Sequence, residues 1–199
     1  MTNKEKALAL IGTFASGDTE KAKELLAEGY IQHNLAYGTG AGAFVGAVEY
    51  LASAPVKTTV NNIRAFEDGD KVFLQTVYNF AGAGEQVAFD IFRFDSEGKI
   101  AEHWDNYIQH NTAIADGLSG LGAALSAMAK QGIQMIYNKT HFVLADGDYA
   151  LAVSEGTFGG VATSFYDLFR VENGKIAEHW DVMETIAEKT TWQNQNGKF

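Results

Sequence analysis

An octapeptide, Gly-Lys-Ile-Ala-Glu-His-Trp-Asp, stands at Gly98–Asp105 and again at Gly174–Asp181. Each copy sets a histidine two residues before an aspartate: His103 with Asp105, and His179 with Asp181. Each also follows a strand-like stretch carrying another aspartate, Asp90 in Phe-Asp-Ile-Phe-Arg and Asp167 in Tyr-Asp-Leu-Phe-Arg. Two carboxylates around an imidazole, held among apolar side chains, shift one another's proton affinities by desolvation and charge pairing. Such a group can run general acid–base chemistry near neutral pH. The plain alternative is an Asp and a His that stabilise each other on a solvated strand.

The elements that would bring these groups together are hairpins. Asp95-Ser96-Glu97-Gly98 reads as a turn with glycine where a positive φ is wanted. Pairing Phe94 with Lys99 sets Asp90 directly opposite His103. In the second copy, pairing Val171 with Lys175 across Glu172-Asn173-Gly174 sets Asp167 opposite His179. Strand alternation then puts Asp90, Phe92, Ala101, His103 and Asp105 on one face, and Ile91, Arg93, Ile100, Glu102 and Trp104 on the other. Arg93 and Glu102 are expected to pair beside Trp104 on a face suited to packing or to an interface.

A second repeat frames the first. Tyr-Ile-Gln-His-Asn occurs at Tyr30–Asn34 and at Tyr107–Asn111, which divides the chain into units of residues 1–106 and 107–199. Each unit reads as a strand, a helix and a strand-rich half. The helices are expected over Ala41–Ala54, stopped by Pro55, and over Leu118–Lys130. Strands follow over Thr58–Phe66, Lys71–Phe80 and Gln86–Phe94, and over Gln134–Leu144, Tyr149–Thr157 and Thr163–Val171. Helical periodicity over residues 4–28, broken at Ser16-Gly17-Asp18, has no counterpart before Tyr107. Tyr30 and Tyr107 read as core residues and His141 as a surface residue.

The bulk properties exclude several classes. The chain has 199 residues, 46% of them hydrophobic and 20% charged, as in ordinary folded proteins. A net charge of −10 without a basic cluster repels phosphate backbones and anionic lipids, so nucleic acid and membranes are not expected partners. The chain has no cysteine, which removes thiolate chemistry, and the histidines lack close metal-binding spacing, so no metal is expected. Without a signal-like or membrane-length apolar run, a cytoplasmic protein is the default expectation.

Taken together, the YIQHN strand, the amphipathic helix, the D-[IL]-F-R strand, the tight turn and GKIAEHWD resemble the SnoaL-like polyketide cyclases. These belong to the nuclear transport factor 2-like superfamily, whose relatives include ketosteroid isomerase. The resemblance runs over residues 1–109 and again over 107–199, and Asn194–Phe199 is similar to the tail of those proteins. It implies an α+β fold: a cone-shaped, curved antiparallel sheet with helices on its concave face, in two tandem units. It implies Asp90 and Asp167 as acid–base or oxyanion groups, His103 and His179 as their partners, and Asp105 and Asp181 as further catalytic carboxylates. His33, Phe92, His110 and Phe169 are implied to bind substrate.

The implied activity is aldol cyclisation or isomerisation of a small apolar carbonyl compound through an enolate, without cofactor or metal. The alternatives are a non-catalytic small-molecule binding or assembly module of the same fold, and a cofactor-free hydrolase or dehydratase. The second unit lacks the opening helices, so its concave face needs cover from its own tail (Met183–Trp192), the first unit or a second chain. A homodimer is therefore expected, and a monomer by light scattering at micromolar concentration would count against it.

Overall fold

The computed structural model describes residues 1–109, 128 and 130–199, and they fall into two compact units. The helix expected over 118–130 lies outside the described residues, apart from its last positions. Unit 1 comprises Met1–His110 together with Ala187–Phe199, and unit 2 comprises Asn111–Ile186. This differs from the boundary expected from the repeat, which gave the whole C-terminal stretch to the second unit. Residues 187–199 have no regular strand or helix pattern that would show where they dock, and their side chains bond to unit 1.

Unit 1 opens with α1 (Asn3–Ser16) and α2 (Thr19–Leu25). Thr2 begins α1 through a reciprocal cap: its hydroxyl accepts from the Glu5 N–H, and the Glu5 carboxylate accepts from the Thr2 N–H. Gly17 ends it with φ 75°, in a place where an added Cβ would stand 2.8 Å from the Ala52 Cβ, so only glycine fits. β1 (Leu26–Gln32) leads to α3 (Ala41–Ser53), and then come β2 (Thr59–Asp68), β3 (Lys71–Asn79), β4 (Gln86–Phe94) and β5 (Ile100–Gln109).

The sheet order is β1-β5-β4-β3-β2, with β1 parallel to β5 and the rest antiparallel. Ala7, Leu10 and Ile11 of α1 and Phe44, Val45 and Val48 of α3 form one core with Val72, Leu74, Phe92, Phe94 and Ile100 of the sheet. The helices therefore cover one face of the sheet, the face that carries Asp90 and His103.

Unit 2 contains the meander β6 (Met135–Asp146), β7 (Tyr149–Phe158), β8 (Val161–Glu172) and β9 (Lys175–Thr185), in that spatial order. Asn173 and Gly174 both have positive φ, 52° and 73°, as a two-residue primed hairpin turn requires. His141, expected at the surface, is half-buried and stands 3.5 Å from Glu155. Among the described residues no helix is long and apolar enough to cross a membrane.

The expected register needs correction in both hairpins. Asp90 is opposite Asp105 and Phe92 is opposite His103; Asp167 is opposite Asp181 and Phe169 is opposite His179. The cause is twofold: beside each turn the pairing is already one residue off, Phe94 meeting Ile100 and Val171 meeting Ile176, and one extra residue then follows in each octapeptide strand, so that Arg93 pairs with Glu102 and Arg170 with Glu178. Ala101 and Ala177 are left unpaired. The bulge also moves Ile100 onto the face of Phe92 and Phe94, where it joins the core at 0% exposure.

Candidate active site

Past the bulge, the two-residue correction leaves Asp90, Phe92, His103 and Asp105 on their expected common face, because strand faces alternate with a period of two. Asp90 and His103 are therefore diagonal neighbours, and His103 Nε2 lies 3.0 Å from Asp90 Oδ1. Phe92, directly opposite His103, stacks on its ring at 4.3 Å between centroids and 5° between planes. Phe92 is fully buried and backs the imidazole rather than facing a ligand. The Tyr78 hydroxyl of β3 donates to the other Asp90 oxygen at 2.9 Å. Both oxygens of Asp90 are thus engaged.

Asp105 is held differently. Its Oδ2 accepts from Asn34 Nδ2 at 2.9 Å, whereas Oδ1 is buried without a hydrogen-bond partner. The Asn34 amide is itself fixed, because its Oδ1 accepts from the Ala36 N–H. Gln32 sits beside His103 in the parallel β1–β5 ladder, with its Nε2 3.0 Å from His103 Nδ1.

His33 alternates with Gln32 and Asn34 and so leaves this face. It stacks on Trp104 at 4.9 Å, with Nε2 2.8 Å from Glu102 and Nδ1 2.9 Å from the Gly197 carbonyl. Glu102 also pairs with Arg93 at 2.7 Å, as expected from the sequence. The tail closes this outer side of the site: Asn194 Nδ2 donates to the Asn34 carbonyl, Asn196 Nδ2 to the Gln32 carbonyl and Lys198 Nζ to the Asp105 carbonyl, each at 2.8 Å.

Asp90, His103 and Asp105 open into a cavity of about 560 Å³ between the helices and the sheet. Phe14, Phe44, Phe80 and Tyr107 give it aromatic walls, and among the described residues its lining holds no Lys or Arg. Burial raises the Asp90 carboxyl above its ordinary value, against the opposing bond from His103. Burial also pushes the Tyr30 and Tyr78 hydroxyls well above 10.0, with the aspartates adding to it, so both remain proton donors. Tyr30, read from sequence as core, both packs in the core and lines the cavity.

In unit 2, His179 Nε2 lies 2.8 Å from Asp167 Oδ1, and the Tyr137 hydroxyl reaches Asp167 Oδ2 at 3.2 Å. Phe169 stacks on His179 at 4.6 Å. Burial raises the Asp181 carboxyl, with His179 opposing. His110 lies outside the described residues.

The bond to Asp167 holds His179 above 6.5, burial opposing. A folded-state value raised above the unfolded one means that the pair's stabilisation is fully present below pH 6.5 and is lost as pH rises through the folded value. An NMR titration of His179 should give a midpoint above 6.5 that falls in Asp167→Asn; an unshifted midpoint in the native chain contradicts the bond.

Among the described residues, Asp90, His103 and Asp105 are the group whose potential metal ligand atoms converge, all within 4.8 Å of one another. Both nitrogens of His103 are already engaged, so a cation would have to displace Gln32 or Asp90 first.

Sequence reasoning missed Gln32, Asn34, Tyr78 and the tail. The first two were within reach: in Tyr-Ile-Gln-His-Asn, residues 30, 32 and 34 share one strand face and His33 takes the other. Tyr78 and the tail side chains depend on contacts between distant segments, and no periodicity marks them.

Residues 7–103 match a family model described as the SnoaL-like domain. Among solved structures, the chain is similar to IdmH from Streptomyces antibioticus, a candidate polyketide cyclase, with 21% identity over 61% of this chain and 99% of that one and a TM-score of 0.45. It is similar to an LEH-like epoxide hydrolase of M. tuberculosis, with 16% identity over 65% and 96% and a TM-score of 0.47. TsrD from Streptomyces laurentii gives 19% identity over 52% and 85% and a TM-score of 0.45. No curated protein matches the chain.

Proposed function

From the match of residues 7–103 to the SnoaL-like domain model and the site's geometry, we propose that unit 1 is an acid–base enzyme that works without a cofactor. It removes a proton from the carbon beside the carbonyl of a small, largely apolar compound, as in intramolecular aldol cyclisation or isomerisation. The observation that carries this reading is Asp105, a lining residue of the cavity with aromatic walls, one of whose oxygens no donor of the protein engages. A carboxylate so placed keeps one oxygen free to accept a proton.

In the proposed step, Asp105 Oδ1 takes the α-proton and the C–H electron pair passes into the enolate, whose oxygen becomes negative. The Tyr30 hydroxyl is the donor for that oxygen: it accepts from Gln32 Nε2 at 3.3 Å, leaving its own proton to donate, and its raised proton affinity keeps that proton on. Asp90, with both oxygens engaged, takes the part of a buttress for His103. A lining with carboxylates and, among the described residues, no Lys or Arg favours uncharged carbonyl compounds over carboxylates or phosphates.

The test is a thermal-shift screen of neutral ketones and β-dicarbonyl compounds, followed by deuterium exchange at the α-carbon of each hit. Catalysed exchange supports the enzyme reading. Binding without exchange supports the rival reading, a non-catalytic binding module.

A further inference from the structure

We infer that Gln32 is a positioning residue that locks His103 into one tautomer, with the proton on Nε2 and the lone pair of Nδ1 occupied. The inference begins from a donor whose identity is not in question. The backbone N–H of Asn34 donates to Gln32 Oε1 at 2.9 Å, which fixes which end of the Gln32 amide is oxygen. The amide nitrogen then faces the other way, 3.3 Å from the Tyr30 hydroxyl and 3.0 Å from His103 Nδ1. An amide nitrogen only donates, so Nδ1 must accept. A neutral imidazole that accepts at Nδ1 carries its proton at Nε2, and that proton points at Asp90 Oδ1, 3.0 Å away.

Gln32 is well placed to enforce this choice. Its residue is only 7% exposed, its backbone N–H donates to Thr39 Oγ1 at 3.2 Å, and its carbonyl accepts from Asn196 at 2.8 Å. The neighbouring His33 N–H donates to the His103 carbonyl at 2.9 Å, which ties the two strands at this point.

The donors therefore run in one direction: Gln32 to His103, His103 to Asp90, and Tyr78 to Asp90. With its lone pair occupied, His103 is unavailable as a base. Asp90 already accepts on both of its oxygens, and Asp105 is left as the carboxylate with an oxygen that no donor of the protein engages. Gln32 thus selects which of the three groups takes a proton. This consequence rests on the acid–base reading above; the tautomer itself does not.

The test is long-range ¹H–¹⁵N correlation NMR of the full-length, ligand-free protein with labelled histidine. With Gln32 donating to Nδ1, the His103 ring is expected as neutral Nε2–H. In Gln32→Glu, nearly the same shape, a carboxylate faces Nδ1, so the signature should change to the doubly protonated ring. In Gln32→Leu the lone pair is released and the ring should show mixed tautomers.

An Nδ1–H or charged ring in the native chain overturns the inference, as does an unchanged signature in Gln32→Glu. If Gln32→Leu fails to fold, the native and Gln32→Glu spectra still decide. Where an exchange substrate has been found, Gln32→Glu should lower the exchange rate constant on the order of 10²-fold with KM little changed. Absence of exchange in every variant would sink the enzyme reading while leaving the tautomer result standing.

Discussion

Asp105→Asn is expected to lower α-proton exchange on the order of 10³-fold while the protein stays folded. The amide has the shape of the carboxylate and can still offer an oxygen to Asn34 Nδ2, now at 2.9 Å from Oδ2, so the strand keeps its partner. What the substitution removes is the basic lone pair on Oδ1, the oxygen that has no partner. Asp90→Asn makes the comparison. Its oxygens already serve Tyr78 and His103, so its loss should cost far less exchange, about tenfold. Isotope exchange followed by NMR on a substrate from the screen gives both numbers. Equal rates in Asp105→Asn and the native chain would refute the assignment of the base.

Removal of residues 187–199 is expected to cost unit 1 several kcal/mol, roughly 3–6, because buried acceptors lose their donors together. Asn194 and Lys198 are 5% and 4% exposed, and with Asn196 they serve the carbonyls of Asn34, Tyr37, Asp105 and Gln32. The Gln193 N–H adds a bond to the Leu35 carbonyl at 2.9 Å. Domains of this size hold only about 5–15 kcal/mol in all, so the truncated chain should melt at least about 10 °C lower, or without a sharp transition. Circular dichroism or calorimetry measures it directly. A truncated chain that melts with the intact one would show that the tail bonds are dispensable.

Much of the local structure was legible because it follows from periodicity and turn chemistry. The strand expected over Gln86–Phe94 has those same ends, and the helix expected from Ala41 stops at Ser53, one residue early. The pairing was not legible. A bulge at Ala101 or Ala177 has no composition of its own, and together with a one-residue change at the turn it displaced each register by two residues. An even slip keeps faces intact, which is why Asp90 still meets His103 and Asp167 still meets His179. Phe92 shares the site's face but lies beneath the imidazole, and His33 was counted toward a face that its place in the strand denies it.

The return of the tail to unit 1 also orders events during synthesis. Asn194 bonds to Asn34 across 160 positions of chain, and all of unit 2 is translated between them. When residue 110 leaves the ribosome, unit 1 has its helices and its sheet, yet the carbonyls of Gln32, Asn34 and Asp105 still wait for donors that have not been made. Unit 1 is thus finished only after unit 2 has been made, and contacts of such long range form slowly. A nascent chain stalled before residue 187 should carry an open, protease-sensitive unit 1 that becomes resistant only when residues 187–199 are free of the ribosome.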